Sequence, residues 1–307
     1  MQKRIKAFLS GMLFLVLLPF VITLLFQGEA LFPQPSEQTV SESEQDGVDS
    51  EEIEGRVISI VAKEISVVNE REAIKAQAVI ARTNLIAARL SGEAEPEGLS
   101  TDAMMKQFGE EAFERCYRKL AECVRETKGL VITSGNRVIE APYFAVSSGR
   151  TRSAADAFGK EEISYLKSVE SKADIDSEDY LCVEFRDIPE FVALCNESFP
   201  EAGITGENPQ SQIEIISRDE GEYVREIRLG ATKTSGEEFR KALGLRSACF
   251  TIKEVEGKLR IVTKGVGHGV GLSQYGAGCL AAQGCTYEEI LKSYFSEIKI
   301  TEYKKTE

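Results

Sequence analysis

Residues 264–278 read KGVGHGVGLSQYGAG, and the rest of the chain is organised around this stretch. It holds the only histidine, His268, set among Gly265, Gly267, Gly269 and Gly271. Ser273, Gln274 and Tyr275 follow, three side chains able to donate and accept hydrogen bonds. Glycine at alternate positions weakens both helix and strand, so the chain must gain something by it. One reading is a Gly-rich turn whose histidine satisfies a local carbonyl. The other is a backbone that a ligand approaches closely. Phosphate motifs do not fit, since the spacing is neither G-x-G-x-x-G nor a P-loop. Ser273 is not a nucleophile elbow, because Tyr275 stands where that motif needs glycine.

Composition narrows the partner. The 307 residues carry a net charge of -13, with 42% hydrophobic and 28% charged residues. A surface this acidic argues against nucleic acid, which needs a basic face. A sugar polymer, recognised through hydrogen bonds and stacking, remains open. The 7 cysteines are an odd number, so at least one lacks an intrachain partner. None forms C-x-x-C, and one histidine gives little support to a zinc site. Cys116 and Cys123 fit one helix face as small apolar residues. Cys182 with Cys195, or Cys279 with Cys285, are candidate bridges, but free thiols are the main expectation.

Residues 1–6 form a basic flank with Lys3, Arg4 and Lys6. Residues 7–26 carry no charge, a length that spans a bilayer as a helix with the basic end in the cytoplasm. The run lacks a small-x-small cleavage site, which favours an uncleaved anchor over a signal peptide. Residues 27–55 contain many Asp and Glu but no Lys or Arg, and read as a disordered acidic tether. The folded part, residues 56–307, is then extracytoplasmic, beyond a single-pass cell-membrane anchor.

Within it, Val57, Ile60, Val61, Ala62 and Ile65 suit a helix that carries Glu64 at its end. Residues 72–89 repeat Ala73, Ala76, Ile80, Thr83 and Ala87 at helical spacing, a small-residue face for close packing. Residues 101–127 read as one further helix, stopped by Gly129. From Leu130 the texture turns β-like: a hairpin across Ser134-Gly135-Asn136, then APYFAVSSG and SYLKSVES. Residues 180–199 hold a strand and a short helix, and residues 212–229 a strand pair around Asp-Glu-Gly. A capping box starts a helix at Ser235 with Glu238. A hairpin crosses Glu256-Gly257, and residues 286–295 close as an amphipathic helix. The fold class expected is α+β, a helical lobe packed on a strand-rich lobe with a glycan-binding groove between them.

Three segments carry a resemblance. AKEISVVNEREAIKAQAVIART (residues 62–83) resembles the first signature of the stage II sporulation protein D family, in which Glu-Met-Pro precedes EALKAQAVAART. GVGHGVGLSQYGA (residues 265–277) is similar to its second signature almost residue for residue. APYFAVSSGRTRSAADAFG (residues 141–159) with YLKSVES (residues 165–171) resembles the segment between them. The resemblance implies a membrane-anchored lytic transglycosylase that cuts peptidoglycan glycan strands during septal wall remodelling and engulfment. It also implies a septal amidase and a membrane scaffold protein as partners. Residues 91–100 lack the Cys/His insertion that binds zinc in some members, so no metal and no cofactor are expected.

Glycosidic cleavage needs an acid for the leaving oxygen and stabilisation of an oxocarbenium-like state. The C6 hydroxyl of muramic acid serves as nucleophile and gives a 1,6-anhydro product, so one carboxyl can act as acid and then base. Glu64, aligned with the family's Glu-Met-Pro glutamate, is the first candidate, although Ile65-Ser66 replaces Met-Pro. Glu72 is the second; its place at a helix start equally suits a dipole-pairing carboxylate. Gln77 and Arg82 on the same helix are expected as supporting polar groups, and Lys75 as a solvated cation. Tyr143, Ser147, Ser148, His268, Ser273, Gln274 and Tyr275 are expected to line the sugar groove. Two other readings stand beside this one. The first is a catalytically weak glycan-binding scaffold. The second is a cysteine hydrolase pairing His268 with Cys279 or Cys285, which no activating context supports.

Overall fold

The computed structural model describes residues 42–303. The basic flank, the apolar span over residues 7–26 and the tether as far as residue 41 lie outside these residues. No helix among the described residues is long and apolar enough to cross a membrane.

Helix α1 spans Glu42–Glu64 and α2 spans Arg71–Ser91. The segment expected as a tether over residues 27–55 is thus helical from Glu42, and Ile53 packs against the apolar core. A buried partner explains part of this order. Glu54 forms a two-pronged ion pair with Arg82 through Nε at 2.9 Å and Nη2 at 2.5 Å. Composition alone reads such a run as solvated; one buried arginine changes the outcome.

Helix α2 is the centre of the molecule. Its alanines and unbranched side chains favour helix, and Gly92 ends it in the left-handed region with its N–H on the Ala88 carbonyl. Ile74, Ala78, Ala81 and Leu85 face α1, α3 (Thr101–Phe108) and α4 (Glu110–Glu126), together with Ile60, Met104 and Leu120. Ala73, Ala76, Val79 and Ile80 face the other way, onto Ile132, Val270, Leu272, Ile290 and Phe295. Burying an isoleucine such as Ile80 stabilises by roughly 1.5–3 kcal/mol. A helix apolar on both sides can serve two cores at once. The single helix expected over residues 101–127 is two, because Gly109 at φ 80 breaks it.

The sheets are small. β1 (Leu130–Ser134) lies between β2 (Arg137–Val138) and β11 (Ile298–Glu302), and the β1–β2 turn is Gly135-Asn136. β3 (Tyr143–Phe144) pairs in parallel with β10 (Leu272–Ser273), bringing the middle and last motif segments together, and the short helix α5 (Ala154–Phe158) follows β3. The SYLKSVES run forms no strand; the isolated bridge Arg150 to Glu170 and main-chain bonds such as Thr151 N–H to the Val169 carbonyl at 2.8 Å hold it along residues 149–154.

Two further sheets stand apart with their own core. β4 (Leu181–Asp187), β9 (Lys258–Lys264) and β8 (Phe250–Val255) form one, in that order. β5 (Ile213–Arg218), β6 (Val224–Leu229) and β7 (Thr232–Ser235) form the other. Phe191, Ile227, Phe239, Phe250 and Ile261 fill the space with α6 (Ile188–Ser198) and α7 (Gly236–Leu243). The chain leaves and re-enters this region at one point, where the Gly265 N–H donates to the Tyr180 carbonyl at 2.7 Å. The architecture is α+β. All three larger cores fall inside the compact unit Ser50–Glu307.

Candidate active site

Glu64 is the last residue of α1, and the six residues after it, 65–70, turn the chain into α2. Lys119 tacks that turn down by donating to the Val67 and Asn69 carbonyls at 2.8 and 2.7 Å. Gln77, fully buried in α2, donates to a Glu64 carboxylate oxygen at 2.8 Å. Gln274 opens helix α8 (Gln274–Ala282) and donates to the Glu64 main-chain carbonyl at 2.8 Å and to the Gln77 side-chain oxygen at 3.3 Å. The Tyr143 phenol on β3 lies beside the Glu64 carboxylate and draws its pKa down. Three chain segments thus converge on one half-buried carboxyl.

Burial pushes the Glu64 carboxyl above its ordinary range, against the opposing pull of the Tyr143 and Gln77 hydrogen bonds and the Lys63 charge. The Tyr143 phenol is also driven up, first by burial and then by the Glu64 charge, so it stays a donor. A carboxyl whose pKa burial raises, with Gln77 fixed on it and the Tyr143 phenol beside it, is suited to give a proton and take one back.

The glycine loop serves this geometry from behind. Gly271 lies at φ 81, and a Cβ there would sit 2.0 Å from the Pro142 carbonyl oxygen. Gly269 likewise leaves room for the Tyr223 ring, 2.7 Å from where its Cβ would be. The close approach that these glycines permit is therefore to the protein's own chain, not the approach to a polymer expected from sequence. His268 accepts the Val270 N–H on Nδ1 at 3.1 Å and hydrogen-bonds the Tyr143 main chain. Burial above all holds its imidazole below the usual range, so the ring braces the loop as a neutral group.

Several residues singled out from the sequence make other contacts in the structure. Arg82 has no exposed surface and is held by Glu54 and the Leu130 and Val124 carbonyls, so it is a core ion pair. Glu72 accepts the Tyr287 N–H at 2.8 Å and Lys75 Nζ at 2.6 Å, which ties α2 to the start of α9 (Tyr287–Tyr294). Lys75, expected in solvent, is also paired with Glu126 at 2.6 Å. Ser148 donates to the Gly221 carbonyl and receives nothing from Glu64. Ser273 caps α8 through the Gly276 N–H at 3.3 Å. Tyr275 keeps a half-exposed ring beside Cys279.

Sequence reasoning missed Asp174. It is fully buried on the 3-10 turn Lys172–Asp176 and gathers the motif serines. Its Oδ2 accepts the Ser147 N–H at 2.9 Å and its Oδ1 the Ser273 hydroxyl at 2.9 Å. Burial raises this carboxyl too, against bonds from Ser147, Ser273 and Ser171. The available signal was a set of small hydroxyls in separate motifs needing a common acceptor. Asp174 fixes Ser273, and Ser273 places Gln274.

The cysteine-hydrolase reading finds no support in the geometry. All seven cysteines are free thiols, and burial with the Asp174 charge pushes the Cys279 thiol up, away from thiolate. Cys285 packs in the apolar core. Among the described residues no three His, Cys, Asp or Glu side chains gather as a cation site. A hollow of about 1390 Å³ is lined in part by Asn84, Arg137, Glu140, Pro142 and Phe158. Glu64 is not in its wall.

The sequence is similar over nearly all its length to known proteins. Stage II sporulation protein D of Bacillus amyloliquefaciens is 33% identical over 98% of this chain and 96% of its own. The chain belongs to the stage II sporulation protein D family. A family model described as stage II sporulation protein matches residues 41–134, the span of the first signature and α1–α4. Stage II sporulation protein D of Bacillus subtilis is 32% identical over 89% of this chain and 81% of its own. A protein of the same organism named amidase enhancer is 43% identical over 58 residues, 19% of this chain and 8% of that one. The family is a sporulation family.

Proposed function

We propose that this protein is a lytic transglycosylase that cleaves the MurNAc-GlcNAc bond of peptidoglycan glycan strands, with Glu64 as its acid and base. One observation carries the reading: Gln77, Tyr143 and Gln274, from three motif segments, converge on a half-buried carboxyl whose pKa is raised. Protonated Glu64 gives its proton to the glycosidic oxygen as the bond from C1 to that oxygen breaks. The muramic C6 hydroxyl then bonds to C1 and returns its proton to Glu64. The 1,6-anhydro ring closes, and no water is consumed. A hydrolase would need a second free carboxylate to activate water or attack C1. Glu72 and Asp174, bound to backbone and side-chain donors, are poor candidates for that work.

The second reading, a glycan-binding scaffold with weak chemistry, draws on Ile65-Ser66 in place of the family's Met-Pro. Against it, Ile65 is buried in the α1–α2 core and leaves Glu64 in place. The wider setting is also part of the proposal: an anchor at residues 7–26, the folded part outside the membrane, and a septal amidase and membrane scaffold as partners. The partial likeness to an amidase enhancer supports the amidase.

The deciding experiment incubates the chain from residue 42 onward, which keeps Glu54 on Arg82, with peptide-free glycan strands. Anhydro-ended products that disappear in Glu64→Gln support the transglycosylase. Reducing-end products mean hydrolysis instead, and strands bound but uncut mean a scaffold.

A further inference from the structure

The outer face of the β4–β9–β8 sheet has a composition unlike the rest of this acidic protein. Directly paired residues share a face, so the register puts Leu181 beside Lys264, Val183 beside Val262 and Thr251, and Phe185 beside Arg260 and Lys253. Asp187, Lys258 and Val255 complete it. Leu181, Val183 and Phe185 are 53%, 49% and 55% exposed, an apolar row where a soluble edge strand would ordinarily carry charge. The opposite face buries Leu259, Ile261 and Phe250 in the core, so the outward row is not an alternative packing surface for that core.

Charge on this face is equally distinct. Lys253, Arg260 and Lys264 form no ion pair among the described residues, and only Lys258 is matched, by Asp187 at 2.9 Å. Arg260 Nε is buried without a hydrogen-bond partner. Leaving such a donor unmet costs free energy, so an acceptor that reaches it gains more than one bond on an open surface. The face therefore offers three unmatched cations around an apolar stripe in a chain whose net charge is -13.

We propose that this face docks an acidic, amphipathic segment of another protein, with apolar side chains over Leu181, Val183 and Phe185 and a carboxylate on Arg260. A sheet face is ordinarily covered by a helix or a second sheet, and β4, paired only with β9, also leaves its outer edge open. A second copy of the chain would bring like charges together at the cations. A phosphate polymer would use the cations and leave the three apolar side chains in water. An anionic bilayer would meet Glu254 and Glu256 at the rim of the same sheet, both exposed. A protein segment of helix width matches the whole patch.

The test uses the full chain in dodecyl maltoside and a random peptide library about twelve residues long, a length that spans a groove-binding helix. Selection against the wild type should enrich sequences with leucine, isoleucine or phenylalanine at helical spacing flanked by Asp and Glu. Binding of the enriched peptides should weaken roughly tenfold in Phe185→Asp and again in Lys253→Glu. Both side chains are exposed, and an unchanged melting temperature in each variant keeps the comparison clean. Enriched peptides lacking acids, peptides that bind both variants as well as wild type, or no enrichment at all would each overturn the proposal. So would a dimer that Phe185→Asp dissociates, or Lys253-dependent binding to micelles doped with phosphatidylglycerol but not to peptide.

Discussion

Gln77 donates to the Glu64 carboxylate at 2.8 Å from inside a helix that is buried on both sides. Its amide cannot swing away, so the bond is set by the core and not by the surface of a cleft. In the carboxyl it holds, burial, a fixed donor and partial exposure meet. The consequences of that arrangement can be measured.

Glu64→Gln should lower glycan cleavage by about 10²–10⁴-fold, the range for loss of a positioned acid–base, while binding persists. The raised pKa also sets a pH signature. Native Glu64 holds its proton above the ordinary 4.5, so its stabilising contribution is full below 4.5 and is lost as pH rises through the raised value. Unfolding curves across pH should therefore show Glu64→Gln gaining on the wild type above that window. The alkaline limb of the activity profile should report the same group.

Tyr143→Phe removes a bond that pulls the Glu64 pKa down. The alkaline limb of the activity profile should move to higher pH, and turnover should fall roughly tenfold, the equivalent of about 1.4 kcal/mol. A profile that keeps its limb would show that the phenol does not bear on Glu64.

Glu72→Gln should leave cleavage per folded molecule intact and lower stability by about 1 kcal/mol, the usual worth of a helix-start acceptor. Urea unfolding measures the loss. Inactivity in a folded Glu72→Gln protein would reverse the assignment of the acid.

Arg82→Met should cost about 3–5 kcal/mol, because Glu54 would keep its charge in a mostly buried place with no partner. Replacing both partners, Arg82→Met with Glu54→Leu, should recover much of that loss. Thermal unfolding of the two variants decides between an ion pair that stabilises the core and a surface contact.

Asp174→Asn should lower stability by about 2 kcal/mol, since an amide cannot accept at both oxygens from Ser147 and Ser273. Because Ser273 places Gln274, turnover should fall with KM little changed. A variant that loses only stability would limit Asp174 to the core.

Residue types and motif order made Glu64, Gln77, Tyr143 and Gln274 legible as candidates that lie together, because each sits in a segment with a recognisable pattern. The same patterns could not separate a hydroxyl that faces ligand from one that caps a helix. Ser273 and Ser147 look alike in either role, and only the position of Asp174 decides. Arg82 failed for a related reason: its partner Glu54 lies in a run whose composition reads as solvated. Helix and strand identities followed from periodicity and turn chemistry, as at Ser235 and Glu256-Gly257. Gly109 shows the limit, since a glycine inside a helical pattern does not announce whether it will break it.

The single hydrogen bond between Gly265 and Tyr180 closes the neck of everything from β4 to β9. A segment whose ends meet, and which carries its own core, can vary in its outer parts without moving Glu64, Gln77 or Gln274, so long as Asp219 stays on Arg152 and Gly221 on Ser148. Natural variation is thereby free to act on two parts of this protein at different rates. The chemistry can stand still in one while the other, with its apolar and cationic sheet, changes the company the protein keeps.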